Sequence, residues 1–166
     1  MSDLGRQFQV PGIRFERHFD SSIESVWAHL TQCAKLPGWY GEDGIIEPRE
    51  GGKVQLAAGH IRGFVTRWQP YRQLVYSWNV FGPGDTISAY PESYLTIDLT
   101  PAATGTDLKL MHLPVLERFE KQNAMGWHTY LDMLGAALRG DPIDSLDVYM
   151  QRNAARYGVD LENVQR

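Results

Sequence analysis

The chain has 166 residues, 43% of them hydrophobic, with five Trp, eight Tyr and six Phe, which excludes a disordered polymer and suffices for one domain with a real core. A formal net charge of −4 argues against nucleic acid as a partner, because phosphate binding needs a basic surface. No apolar run approaches the roughly 18 residues of a membrane span.

The N-terminal MSDLGRQFQV carries an early acid and lacks the apolar block of a signal peptide. A single cysteine, Cys33, cannot make an internal disulfide and fits a reducing compartment, so a cytoplasmic location is expected. Residues 1–11 read as a polar lead-in. Ile13, Phe15, Arg17 and Phe19 then alternate with Arg14, Glu16 and His18, the period of a half-buried strand. Arg17, pointing inward, is expected to pair with a carboxylate inside the fold. Asp20, Ser21 and Ser22 offer caps for a short helix that carries Ile23, Val26, Trp27 and Leu30 on one face. A further helical turn over 32–36 is expected to end at Pro37 and Gly38.

Glycines then punctuate two short strands, 45–49 and 53–57. Residues 61–68 and 73–80 form a hairpin around Gln69, Pro70 and Tyr71, with Leu74, Tyr76 and Trp78 on one face. Phe81 to Asp85 is a Pro/Gly loop. Strands over 94–99 and 107–113 follow, with Leu95, Ile97, Leu99, Leu108, Leu110 and His112 pointing inward.

The longest element is a helix over 116–138. At 100° per residue, Leu116, Phe119, Trp127, Tyr130, Leu131, Leu134 and Leu138 fall on one face, with Met125, His128, Thr129 and Asp132 opposite. Glu120 and Asn123 interrupt the apolar face in its N-terminal half. A buried polar group needs a partner, so that half is expected to roof a partly open space while the C-terminal half clamps onto a sheet. Gly126 is expected to let Trp127 sit close to that sheet. Gly140 ends the helix, and Asp141-Pro142 restarts one with the stripe Ile143, Leu146, Met150, Ala154 and Tyr157. Consecutive strands with short turns and one long helix imply an α+β fold, a curved antiparallel sheet around a C-terminal helix.

Several stretches carry a family resemblance: RHFDSSIESVWAHLT from Arg17, LPGWY from Leu36, Gly51-Gly52, GFVTRWQP from Gly63, LVYSW from Leu74, TDLKLMH from Thr106 and GWHTYLDML from Gly126. In this order and spacing the chain resembles the START/Bet v 1-like (SRPBCC) superfamily, within it the activator-of-Hsp90-ATPase-homologue (AHSA1-like) branch. The resemblance covers about residues 12–140 and leaves 141–166 as an appended helix and tail. It implies the helix-grip fold and a cavity between sheet and long helix that holds hydrophobic ligands. The superfamily spans lipid carriers, hormone receptors, polyketide cyclases and a co-chaperone domain, so fold alone does not name an activity.

The five histidines form no HExxH or Cys/His cluster, and no metal is expected. Gly82-Pro83-Gly84 lacks the pattern of a nucleotide loop, no serine sits in GxSxG, and Cys33 reads as a small core residue, so no cofactor or nucleophile is expected. The residues expected to line a ligand site are Trp39, Tyr76, Trp78, Ile97, Leu110, His112, Phe119, Glu120, Asn123 and Trp127. That is an apolar pocket with a few convergent polar groups. His112 would be the acid–base group if a reaction of cyclase/dehydratase type takes place. The reading favours binding of a small hydrophobic molecule over catalysis. A protein-binding regulator or homodimer is the remaining alternative, with residues 90–94 and the appended helix as contact surfaces.

Overall fold

The computed structural model describes residues 4–164. Its strands are β1 (Ile13–Phe19), β2 (Ile45–Ile46), β3 (Lys53–Leu56), β4 (Ile61–Gln69), β5 (Gln73–Val80), β6 (Ser93–Pro101) and β7 (Thr106–Leu113). They form a seven-stranded sheet in the order β1-β7-β6-β5-β4-β3-β2, every pair antiparallel. The first strand therefore lies beside the last, with Phe15 opposite Leu110 and Ile13 opposite His112. The period of two places Ile13, Phe19, Leu74, Tyr76, Leu95, Ile97, Leu99, Leu108, Leu110 and His112 in the interior, all buried.

The strand expected over 45–49 stops at Ile46. Pro48 has no amide to give a ladder, and the chain turns there, with Arg49 N donating to the Glu47 carbonyl. In β4, a Cβ on Gly63 would stand 1.9 Å from the Ser77 carbonyl oxygen, so glycine is what lets β4 and β5 approach.

Helix α1 (Ile23–Thr31) is capped by Ser22, whose hydroxyl accepts from Ser25 N, and it buries Val26, Trp27 and Leu30. Pro37 opens a helix instead of closing one. It is the first residue of α2 (Pro37–Tyr40), where its missing amide leaves nothing unsatisfied. Gly41, at φ 83°, ends that turn, and α2 delivers Trp39 and Tyr40 into the interior. Cys33 is exposed, not a core residue. Among the described residues Arg17 meets no buried carboxylate; its guanidinium lies 5.1 Å from the Phe15 ring centroid and donates to the Glu16 carbonyl.

A 3-10 turn, Glu117–Phe119, leads into α3 (Glu120–Arg139). Gly140 closes it in the left-handed region, with Gly140 N donating to Ala137 and Asp141 N to Ala136. Leu131 and Leu134 are buried on its sheet side, as the apolar stripe predicts. The opposite side is not a solvent face: Met125 and Thr129 are buried too. α4 (Leu146–Tyr157) covers them, and Asn153 Nδ2 donates to Thr129 Oγ1 at 3.1 Å and to Asp132 Oδ2 at 3.2 Å.

α4 does not begin at Pro142. The Asp141 amide closes α3, and the new ladder starts at the Ser145 carbonyl, which accepts from Val148 N and Tyr149 N. Ile143 is exposed as a result. Gly126 is not a point of close approach, since a Cβ there would meet nothing within 4 Å, and even at Gly135 a Cβ would be in ordinary contact with the sheet, 3.5 Å from Phe19 Cε1. No helix is long and apolar enough to cross a membrane among the described residues.

Candidate ligand-binding site

Under the N-terminal half of α3 the sheet and helix part, leaving three adjoining lobes of about 140, 210 and 220 Å³. Trp78 and Asn123 line all of them. Trp78 comes from the end of β5, two and four residues beyond the buried Tyr76 and Leu74, so the strand's period aims its indole inward. Asn123 hangs from the first turn of α3, its Nδ2 donating to the Phe119 carbonyl at 2.9 Å.

The first lobe adds Tyr90, Ser93, His112 and Phe119. The second adds Tyr40, His60, Tyr90, Phe119 and Tyr130, and the third His60, Gln122, Trp127, Tyr130 and Met150. Tyr90 meets Phe119 edge-on, ring centroids 5.2 Å apart. No Lys, Arg, Asp or Glu lines any lobe among the described residues. Nor do three His, Cys, Asp or Glu side chains gather there as a metal site would require.

His112 is 2% exposed, and both ring nitrogens are engaged. Trp127 Nε1 donates to Nδ1 at 3.0 Å. An indole N–H can only donate, so Nδ1 carries no proton and the neutral ring holds it on Nε2. That proton goes to Ser93 Oγ at 2.8 Å, and Ser93 in turn donates to the Trp78 carbonyl at 3.3 Å. Burial of the charged form pushes the His112 pKa down to about 4. Near pH 7 the ring is therefore neutral and hydrogen-bonded at both ends.

Among the residues expected at the site, Trp78, His112, Phe119, Asn123 and Trp127 line the lobes. Trp39, Tyr76, Ile97 and Leu110 are buried around the space without lining it. Trp39 is fixed by its own bond, Nε1 to the His29 carbonyl at 2.7 Å. Glu120 is exposed and lines no lobe. Glu120 shares the helical phase of Trp127, but it is the first residue of α3, and residues 117–121 are exposed or half-buried, so the face it occupies is not covered at that end.

Tyr90, His60, Tyr40, Tyr130 and Gln122 are lining residues that sequence reasoning did not place at the site. Tyr130 does fall on the predicted stripe, where it reads as packing. Tyr90 sits in the segment 90–94 expected to be an exposed strip. Tyr90 is half-buried and Ser93 buried, while Pro91, Glu92 and Tyr94 face solvent. Nothing in a period of two or 3.6 marks a loop residue that folds back over a cavity.

The model of the family described as Activator of Hsp90 ATPase homolog 1-like protein, AHSA1, matches residues 20–139. The chain belongs to the AHSA1 family. Its α+β helix-grip architecture is that of the START/Bet v 1-like superfamily.

Among solved structures, this AHSA1-like chain is similar to CalU16 from Micromonospora echinospora, at 27% identity over 89% of this chain and 86% of that one, with a TM-score of 0.71. DynU16, described as a putative protein in the dynemicin biosynthetic locus, aligns at 20% identity over 79% of this chain and 48% of that one, TM-score 0.66. PFC0360w from Plasmodium falciparum, described as an HSP90 activator, aligns at 18% identity over 80% and 98% of the two chains, TM-score 0.65. No curated protein matches the sequence.

Proposed function

We propose that this AHSA1-like protein binds a small, uncharged, largely apolar molecule beneath the N-terminal half of α3. The observation that carries the reading is the set of adjoining lobes sharing Trp78 and Asn123, lined by aromatic side chains and no ionised one. Apolar walls with a few amides and hydroxyls are the general form of a small-molecule site. A carboxylate in such a space would lack a counter-charge and be desolvated at high cost. The link of DynU16 to a biosynthetic locus supports a biosynthetic small molecule as the ligand, and the lone exposed cysteine fits a cytoplasmic home.

Titrating the protein with an uncharged flavonoid and with palmitate, following tryptophan fluorescence, tests the reading. Saturable quenching by the flavonoid, lost in Trp78→Ala, and none by palmitate is the expected result. Neutral cyclic compounds that all fail to saturate would sink it.

A cyclase/dehydratase activity would need His112 to exchange protons. Its two engaged nitrogens and depressed pKa favour a structural role. An Hsp90-linked role draws support from the family description and the PFC0360w name alone; capture of purified Hsp90 by the immobilised protein tests it.

A further inference from the structure

Two histidines line the lobes among the described residues, and only His112 has both ring nitrogens engaged. His60, which lines the second and third lobes, uses one. Its Nδ1 lies 2.8 Å from the Phe81 carbonyl oxygen. A carbonyl can only accept, so Nδ1 donates, and in the neutral ring Nε2 is left as a bare acceptor. Nε2 has no partner among the described residues, and it is not sealed off from open space. Phe81 lines none of the lobes. The ring edge tied to Phe81 therefore points away from them, and the opposite edge, bearing Nε2, is the one that meets them.

The backbone around His60 is unusual. Residues 57–59 run consecutively through the left-handed region, Ala57 at φ 50°, Ala58 at φ 51° and Gly59 at φ 87°. Such values are uncommon for alanine and strain the chain, and strain of this kind clusters at functional sites. The turn delivers His60 beside Phe81, whose backbone N donates to the His60 carbonyl at 2.8 Å. Backbone and ring are thus both clamped to one residue, which fixes the tautomer and the aim of Nε2.

The surroundings limit what Nε2 can accept from. No Asp or Glu lines these two lobes among the described residues, so an ammonium would lack a counter-charge. Asn123 lines both lobes and gives one Nδ2 hydrogen to the Phe119 carbonyl, which leaves a second to offer. A hydroxyl suits both groups, since it donates and accepts. Walls of Trp78, Tyr90, Phe119 and Tyr130 suit an aromatic ring to carry it.

We propose that the ligand of this cavity is a phenol, whose hydroxyl donates a hydrogen bond to His60 Nε2 while its ring lies among Trp78, Tyr90 and Tyr130. The proposal rests on the reading of the lobes as a ligand site and narrows it from apolar molecules in general to hydroxylated aromatic rings.

The test compares 2-naphthol with 2-fluoronaphthalene, probes of nearly one shape of which only the first has a hydrogen to donate. Affinities are read from tryptophan indole N–H shifts by NMR in wild type, His60→Asn and His60→Gln. The asparagine keeps a donor where Nδ1 stood and removes the acceptor, whereas the glutamine reaches as far as Nε2 with an amide oxygen. The wild type should bind 2-naphthol about tenfold more tightly than 2-fluoronaphthalene. His60→Asn should cut that preference to about twofold or less, and His60→Gln should retain more of it. Imidazole nitrogen NMR of the wild type should show the His60 Nε2 resonance moving upfield with 2-naphthol and not with 2-fluoronaphthalene.

Equal affinities in the wild type, a preference that survives in His60→Asn, or a Nε2 resonance unmoved by bound 2-naphthol would overturn the proposal and leave the cavity reading standing. The nitrogen shift needs no variant, so it decides the matter even where His60→Asn fails to fold. Failure of both probes to bind the wild type would remove the cavity reading and the proposal together.

Discussion

Trp127 and His112 are joined by a hydrogen bond in which the indole Nε1 donates to Nδ1 at 3.0 Å. The bond ties the middle of α3 to β7, and because the indole cannot accept, it holds the imidazole neutral. The His112 pKa is about 4 in the folded protein against 6.5 ordinarily. Between those values the unfolded chain binds the extra proton and the folded chain does not. Stability therefore rises with pH across that window, is full above pH 6.5, and is reduced below pH 4 by about 3 kcal/mol for this group. Urea midpoints of wild type and His112→Gln from pH 7.5 to pH 4 check it: the wild-type advantage should shrink as pH falls. Trp127→Phe removes the donor and should cost about 1–3 kcal/mol at pH 7.

The two glycines Gly63 and Gly126 should respond oppositely to alanine. At Gly63 the new Cβ would collide with the Ser77 carbonyl, part of the backbone. Gly63→Ala should therefore cost at least about 3 kcal/mol in urea unfolding, the upper range of overpacking. Gly126 lies mid-helix with open space around its Cβ position, and Gly126→Ala should stabilise by about 0.5–1 kcal/mol.

Asn153 holds α4 to α3. It is fully buried, donates to Thr129 and Asp132, and accepts from Arg156 Nη1 at 3.2 Å. Asn153→Ala would leave the Thr129 hydroxyl and one Asp132 oxygen without that partner in a packed interface. A loss of about 2–4 kcal/mol is expected, with amide exchange in α4 rising more than in β6 and β7.

Much of the sheet was legible, because burial on one face writes a period of two directly into residues such as Leu95, Ile97, Leu99 and Leu108, Leu110, His112. The same rule carried Trp78 and His112 to the site. Less legible was whatever depends on an element's phase or on a remote partner. Met125 and Thr129 sit opposite the sheet-facing stripe, and only the docking of α4 buries them. Glu120 is exposed because it is the first residue of α3, where the stripe runs past the covered interior, and a hydrophobic pattern does not tell where the covering ends. Pro37 suits the first position of a helix as well as the residue after one, and only the Tyr40 N to Leu36 carbonyl bond at 2.7 Å decides between them. Tyr40 and Tyr90 reach the cavity from a four-residue helix and a loop, elements too short or irregular to show which way a side chain points.

The Tyr90–Phe119 contact closes one side of the first two lobes, and it joins a loop to the start of α3. An edge-on aromatic pair contributes only about 0.5–1.5 kcal/mol beyond area burial, small enough to open on a ligand's timescale. Tyr90→Ala should leave the fold within about 1 kcal/mol of wild type, since the residue is only half-buried in a loop. It should speed ligand release by about tenfold, as most affinity changes in related complexes fall on the off-rate. Stopped-flow dilution of the flavonoid complex, read by recovery of tryptophan fluorescence, measures it. Glu120→Gln is the matched control: one residue from Phe119, exposed and outside every lobe, it should leave the release rate unchanged. A Tyr90→Ala rate equal to wild type would show that ligands enter elsewhere, with the third lobe, between Met150 and His60, as the remaining route.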